Sequence, residues 1–286
     1  KIYFMRNNIF VSTGGFKAPA YKTVKKLACS GIKNIELSGG SYSINNLKEL
    51  FKFKKKLNLR LHNYFPPPKI PFVLNVASSN DKILNRSMDH IFKSIDIANK
   101  INSKYYSFHA GFLLDPKVNN LGKKFDISKL QKRDKCLDRF KNNVIKISKF
   151  AKLKNIKILI ENNVVTKKNL SQFQTNPFLM SHPNEIFEFF LNEPKNVKLL
   201  LDVGHLKVSS KTEGFSKIMA IKKLNRFISC YHLSDNDSNS DNNKPFTKNS
   251  WFLNYLKKNL DYYTVEVYSN STKILKNQIK IVNNHI

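Results

Sequence analysis

Eight short apolar runs recur along the chain, and the stretches between them carry apolar residues at helical spacing. The runs are IYFM (2–5), NIEL (34–37), LRLH (59–62), YYSFH (105–109), KILIE (157–161), VKLLLD (197–202), FISCYH (227–232) and YTVEV (263–267). The helical stretches span 20–30, 44–57, 81–100, 130–154, 183–191, 215–224, 251–258 and 271–284. Strands that alternate with helices pair in parallel, because each crossover returns the chain to the same end of the sheet. Eight such units in 286 residues predict an α/β fold, a (β/α)8 barrel (TIM barrel) built as a single domain over residues 1–286. An open doubly wound sheet is the alternative, but no GxGxxG turn follows the first run.

The longest irregular segments, 63–80, 110–129, 162–182 and 233–250, all follow predicted strands. Barrel enzymes place their working loops there, so these segments are expected to wall an active-site mouth. No apolar run approaches the roughly 20 residues that span a bilayer, and the first residues lack a signal-peptide pattern. Cys29, Cys136 and Cys230 are odd in number and scattered, which fits a reduced, cytoplasmic protein without disulfides. The formal charge of +30 would draw in nucleic acid or other anions. Its lysines, however, are interleaved with Asn and Ile on the polar faces of nearly every helical stretch. That spread reads as compositional bias, so no specific nucleic-acid partner is expected.

The run ends carry the chemistry. The third closes with His62, the fourth with His109, the fifth with Glu161 and the sixth with Asp202, with His205 three residues on. The seventh closes with His232, and Glu266 lies in the eighth. In a (β/α)8 barrel these positions converge on one mouth. Singly, each has a bland explanation as a hydrogen-bonded histidine, a helix cap or an ion-pair partner. Together they would crowd carboxylates and imidazoles into one pocket, where like charges cannot all stay ionised without a cation among them. A divalent metal supplies that charge, and His with Asp/Glu ligands suits Mn2+, Zn2+ or Co2+, with Mg2+ also allowed.

The motifs LHNYFPPP, SFHAGF, LIENN, LLLDVGHLKVS, YHLSDND and YTVEVYS, in this order, resemble the xylose isomerase-like barrel superfamily. That group holds sugar and sugar-phosphate isomerases and epimerases, inosose dehydratases and endonuclease IV-type apurinic endonucleases. The resemblance implies a metal held by Glu161, Asp202, His232 and Glu266, with the two glutamates also serving as catalytic acid and base. It implies that His205 contacts substrate oxygens. His62 and His109 match positions that hold an extra zinc in the endonuclease branch, and so stand for a second metal or for substrate.

The function expected from these readings is a metal-dependent sugar isomerase or epimerase working through a metal-stabilised enediolate. Its partner would be a small sugar, sugar phosphate or nucleotide-linked sugar, and a homodimer is allowed. A sugar or inosose dehydratase would use the same metal set. The apurinic endonuclease is the rival from another class, but its pattern places a D-x-H pair after the seventh strand, and this chain has no histidine between His232 and His285. A barrel that merely binds would be expected to lack some of the four ligands, and none is missing. From loop position alone, Asn63, Tyr64, Asn162, Asn163, Asp235 and Asp237 are candidates for sugar hydroxyls, and Trp251 for stacking on a sugar face. The alternative for Trp251 is that it anchors the next helix. SGG (38–40) and TGG (13–15) are loops whose backbone could hold a phosphate, and each reads more readily as a plain turn.

Overall fold

A computed structural model describes residues 8–120 and 129–286. Eight parallel strands close into a barrel in chain order, β8 pairing back onto β1. They are β1 (Ile9–Ser12), β2 (Asn34–Leu37), β3 (Asn58–His62), β4 (Tyr105–His109), β5 (Lys157–Glu161), β6 (Val197–Asp202), β7 (Ile228–Leu233) and β8 (Tyr262–Val265). Seven lie where the apolar runs predict them. The first does not: the barrel strand is IFVS, and residues 2–5 fall outside the described residues. Val11 pairs with both Ile35 and Val265, which fixes IFVS as the stave that closes the ring. The two runs read alike in hydrophobicity, and only closure distinguishes them.

Nine α-helices are described: α1 (Ala20–Cys29), α2 (Asn46–Phe51), α3 (Asp81–Lys100), α4 (Arg133–Leu153), α5 (Lys167–Phe173), α6 (Pro183–Leu191), α7 (Val203–Glu213), α8 (Lys217–Leu224) and α9 (Thr272–Asn283). Helix α7 was not foreseen, because its buried residues face several directions and leave no amphipathic stripe. It starts at the end of β6, where the Asp202 carboxylate accepts the His205 N–H at 2.7 Å as an N-cap. The expected helix over 251–258 is instead a single 3-10 turn, Leu253–Tyr255. Just beyond it the Lys257 N–H donates to the Tyr231 hydroxyl and Asn259 turns into left-handed backbone, so the helix cannot continue. Among the described residues no helix is long and apolar enough to cross a membrane.

Strand side chains alternate, and the alternation builds two separate cores. Ile35, Leu37, Leu61, Phe108, Ile158, Ile160, Leu199 and Val265 pack outward under the helices. Phe10, Tyr105, Leu159, Leu200, Cys230 and Tyr262 form a second cluster, which fills the lower barrel interior. The Arg60 guanidinium joins it, 4.4–4.6 Å from the ring centres of Phe10, Tyr105 and Tyr262. Two residues further along each of those six strands come Ser12, Ser107, Glu161, Asp202, His232 and Thr264, all buried. The interior therefore changes from apolar to polar in a single layer, directly beneath the C-terminal mouth.

Candidate functional site

That polar layer brings Glu161, Asp202, His232 and Glu266 together. One ligand atom from each lies within 4.8 Å of the others, and all four residues are buried. His232 Nδ1 is 2.8 Å from Glu266 Oε2, 3.2 Å from Glu161 Oε1 and 4.0 Å from Asp202 Oδ2. A second group, His62, His109 and Glu161, shares the central glutamate. Its Oε2 is 3.2 Å from His62 Nε2 and 3.4 Å from His109 Nε2.

Both Glu161 oxygens, Asp202 Oδ2 and His232 Nδ1 are buried without a hydrogen-bond partner. Buried polar atoms are nearly always paired, and an unpaired one costs about 1–3 kcal/mol or more when charged. Here the unpaired atoms all face one another. Three carboxylates and an imidazole so arranged fit a divalent cation, which would satisfy them at once.

The electrostatics point the same way. Burial pushes the Asp202 carboxyl up to about 8, with Asp241, Glu161 and Glu266 adding to the rise against His205. Burial lowers His62 to about 3 and also lowers His109, so both present neutral rings to Glu161. Burial opposes the charge on Glu161 too, yet the histidines around it, His109, His232 and His62, hold its carboxyl well below the usual range. Because His62 and His109 are themselves neutral, His232 is the physical source of that effect. Burial would lower His232 as well, but Glu36, Glu266 and Glu161 hold it well above the ordinary imidazole value. The site therefore concentrates negative charge around one ring, and among the described residues no lysine or arginine is bonded into the cluster.

His205 reaches the same pocket. Its Nδ1 donates to the Asn162 carbonyl at 2.8 Å and lies 3.6 Å from Glu161 Oε1, while Nε2 meets Asp241 Oδ2 at 3.1 Å. Asn162 is a scaffold piece: its side chain accepts from the Asp202 N–H at 2.7 Å and donates to the Asp202 carbonyl at 3.2 Å. The Asn163 amide donates to the carbonyls of Ala110, Gly111 and Leu179, tying three loops together. Asn63 works through its backbone, with left-handed φ, donating to the Ser107 carbonyl and accepting from the Tyr106 hydroxyl. The Tyr64 hydroxyl accepts from the Phe72 N–H.

In the loop after β7, the Asp235 carboxylate pairs with Lys207 at 2.5 Å and accepts from Ser250 Oγ at 2.9 Å. Asp237 is exposed and caps the Asn239 and Ser240 amides. Trp251 packs edge-on to Phe252 with Lys217 over its ring, outside the cluster. Two residues missed in the sequence do join the site. Glu36 on β2 lies 2.8 Å from His232 Nε2 with both side chains fully buried, and Asp241 holds His205. A glutamate inside the apolar run NIEL was the available signal for the first; nothing marked Asp241 among the acids of its loop.

A family model described as xylose isomerase-like TIM barrel matches residues 24–277. No curated protein matches the sequence. Among solved structures, a D-tagatose 3-epimerase-like protein superposes with a TM-score of 0.72 at 20% identity, covering 97% of this chain and 98% of that one. The D-psicose 3-epimerase of Clostridium cellulolyticum H10, solved with D-tagatose, gives 0.64 at 13%, covering 97% and 96%. An L-ribulose 3-epimerase gives 0.65 at 15%, covering 97% and 91%. At these identities the likeness is one of fold.

Proposed function

Because the chain belongs to the xylose isomerase-like TIM barrel family, we propose that it is a metal-dependent sugar isomerase or epimerase. The observation that carries this reading is the convergence of Glu161, Asp202, His232 and Glu266 within 4.8 Å, with buried atoms that lack any other partner. The superposed structures include three whose names are those of sugar 3-epimerases or their like, which supports the same class.

Those four residues would hold the cation, which supplies Lewis acidity to a substrate carbonyl and its neighbouring hydroxyl. Glu161 and Glu266 come from β5 and from the end of β8, so they approach the pocket from separate parts of the ring. We assign to one the removal of the proton from the carbon beside the carbonyl, and to the other its return. Ser12 Oγ donates to Glu266 Oε1 at 3.3 Å, and the Asn243 amide donates to the Glu266 carbonyl at 3.1 Å, which together fix that side chain's root and tip. His205 is fixed beside Glu161 with both ring nitrogens engaged, Nδ1 on the Asn162 carbonyl and Nε2 on Asp241, so a substrate oxygen would reach Nε2 only by replacing Asp241.

The test is to incubate metal-replete protein in D2O with ketoses, sugar phosphates and nucleotide sugars. Deuterium at a carbon-bound position identifies both the chemistry and the substrate. No incorporation with any of them, under conditions where metal is bound, would remove this reading. The His62, His109 and Glu161 group favours a second reading, an apurinic endonuclease with more than one metal. Against it, the chain has no histidine between His232 and His285, the stretch in which that branch's D-x-H pair would stand.

A further inference from the structure

We propose that Glu36 is a positioning residue that holds the proton of His232 on Nε2 and so presents Nδ1 as the metal-binding atom; this rests on the metal reading above. Glu36 lies on β2, one position before the strand's end, and is completely buried. Its Oε1 is 2.8 Å from His232 Nε2, and neither atom has another hydrogen-bond partner. Its Oε2 accepts from Thr264 Oγ1 at 3.1 Å, and Thr264 stands directly beside His232 in the β7–β8 register. One carboxylate oxygen is thus anchored to the barrel wall while the other meets the ring.

The two faces of His232 are unequal. On the Nδ1 side stand Glu266, Glu161 and Asp202, the other residues of the candidate ligand set. On the Nε2 side stands Glu36. An imidazole that ligates through Nδ1 must keep its proton on Nε2, and the acceptor on that side determines whether it does. Three carboxylates would otherwise draw a proton to Nδ1 and block the lone pair that the site requires. A buried glutamate is strongly disfavoured without such a partner, so its presence inside the barrel matches a specific task. Glu36 also adds negative charge to the far side of the ring, which strengthens the ring as a ligand.

The experiment uses the full chain and Glu36→Gln, an isosteric change that removes the charge. Two readouts are taken: Zn2+ affinity by competition with a chromophoric chelator, and the imidazole N–H signals of the Zn2+-loaded, 15N-labelled protein. The wild type should show a slowly exchanging, strongly downfield Nε2 proton on His232. In Glu36→Gln that proton should move upfield and exchange faster, and Zn2+ should bind about 10–100-fold more weakly, with circular dichroism unchanged. Should Glu36→Gln fail to fold, Thr264→Val keeps the carboxylate but frees its anchor, and a weaker form of both changes is expected. Wild-type Zn2+ affinity in either folded variant, or a wild-type His232 protonated on Nδ1 in the loaded protein, overturns the assignment of Glu36 alone. Absence of Zn2+ binding to the wild type overturns the metal reading itself and this inference with it.

Discussion

Replacing Asp202 by asparagine should stabilise the metal-free protein, and that advantage should disappear when metal is bound. The Asp202 carboxyl is fully buried, and burial raises its pKa from 3.8 to about 8. In the metal-free protein at pH 7, folding therefore requires this group to take up a proton that the unfolded chain has released. At about 1.4 kcal/mol per pH unit over roughly three units, the penalty is on the order of 4 kcal/mol. The sign follows from linkage: below the unfolded value both states are protonated and the penalty vanishes. It then grows as pH rises and levels off near the folded value of about 8. Asparagine carries no such penalty and can still accept the His205 N–H that starts α7. In chelator at pH 7, Asp202→Asn should melt above the wild type, by up to roughly 8–16 °C at about 2–4 °C per kcal/mol. A saturating cation at about a thousand times Kd adds roughly 4 kcal/mol to the wild type. The variant has lost a charged ligand and should gain far less, so the difference between the two melting temperatures should shrink to little or nothing. Thermal denaturation in chelator and in Mn2+ or Zn2+ decides it. A variant that melts below the wild type in both conditions would refute the electrostatic argument.

Four further outcomes are expected. Glu161→Gln and Glu266→Gln should each lose roughly 10²–10⁴-fold in turnover of the true substrate; deuterium wash-in without inversion in one of them would mark two bases, and near-normal turnover in both would exclude proton transfer by these groups. His90 on α3 is lowered to about 4 by burial, so its contribution to stability is present above 6.5 and is lost as pH falls from 6.5 towards 4; His90→Gln should flatten that part of a denaturation-versus-pH curve. Gly111→Ala would place a Cβ 2.5 Å from the Ala77 Cβ and 3.0 Å from Asn75 Oδ1, and should cost about 1–3 kcal/mol by urea denaturation. Affinity for a DNA duplex should fall steeply with salt and show no preference for an abasic site; efficient incision of an abasic duplex at physiological salt would promote the nuclease reading.

The barrel was legible because its signal is repeated. Any one apolar run is ambiguous, but seven at the correct intervals leave little freedom for the eighth, even though the barrel's first strand is IFVS and not IYFM. Helix α7 was not legible, because a helix buried on several sides has no polar face to give it a period. Its start was written in the sequence as a cap: an aspartate three residues before a buried histidine, in DVGH. The turn at Leu253–Tyr255 failed in the opposite sense. Phe252, Leu253 and Leu256 have helical spacing and are all buried, yet Lys257 is tied by its backbone to Tyr231 on a different element. Long-range hydrogen bonds of this kind leave no local trace.

The site divides along the same line. His62, His109, Glu161, Asp202 and His232 close the apolar runs read from the sequence, and a strand end in a closed parallel barrel has only one place to go. Asn163 and Asp235 follow strands too, but a loop residue's direction depends on what the rest of the loop meets. Theirs meet carbonyls and Lys207, so they hold the walls of the mouth in place. Glu36 shows the limit of reasoning by strand end. It stands one residue short, yet its parity on β2 aims it into the barrel, while Leu37 packs outward. Parity, counted from the apolar layer below, gives the same answer for every member of the polar layer. Two residues beyond Phe10, Tyr105, Leu159, Leu200, Cys230 and Tyr262 come Ser12, Ser107, Glu161, Asp202, His232 and Thr264. On β3, Arg60 and His62 repeat that step. A buried glutamate with the inward parity on the remaining strand is therefore part of the chemical layer by the same rule, and the contact with His232 says which part.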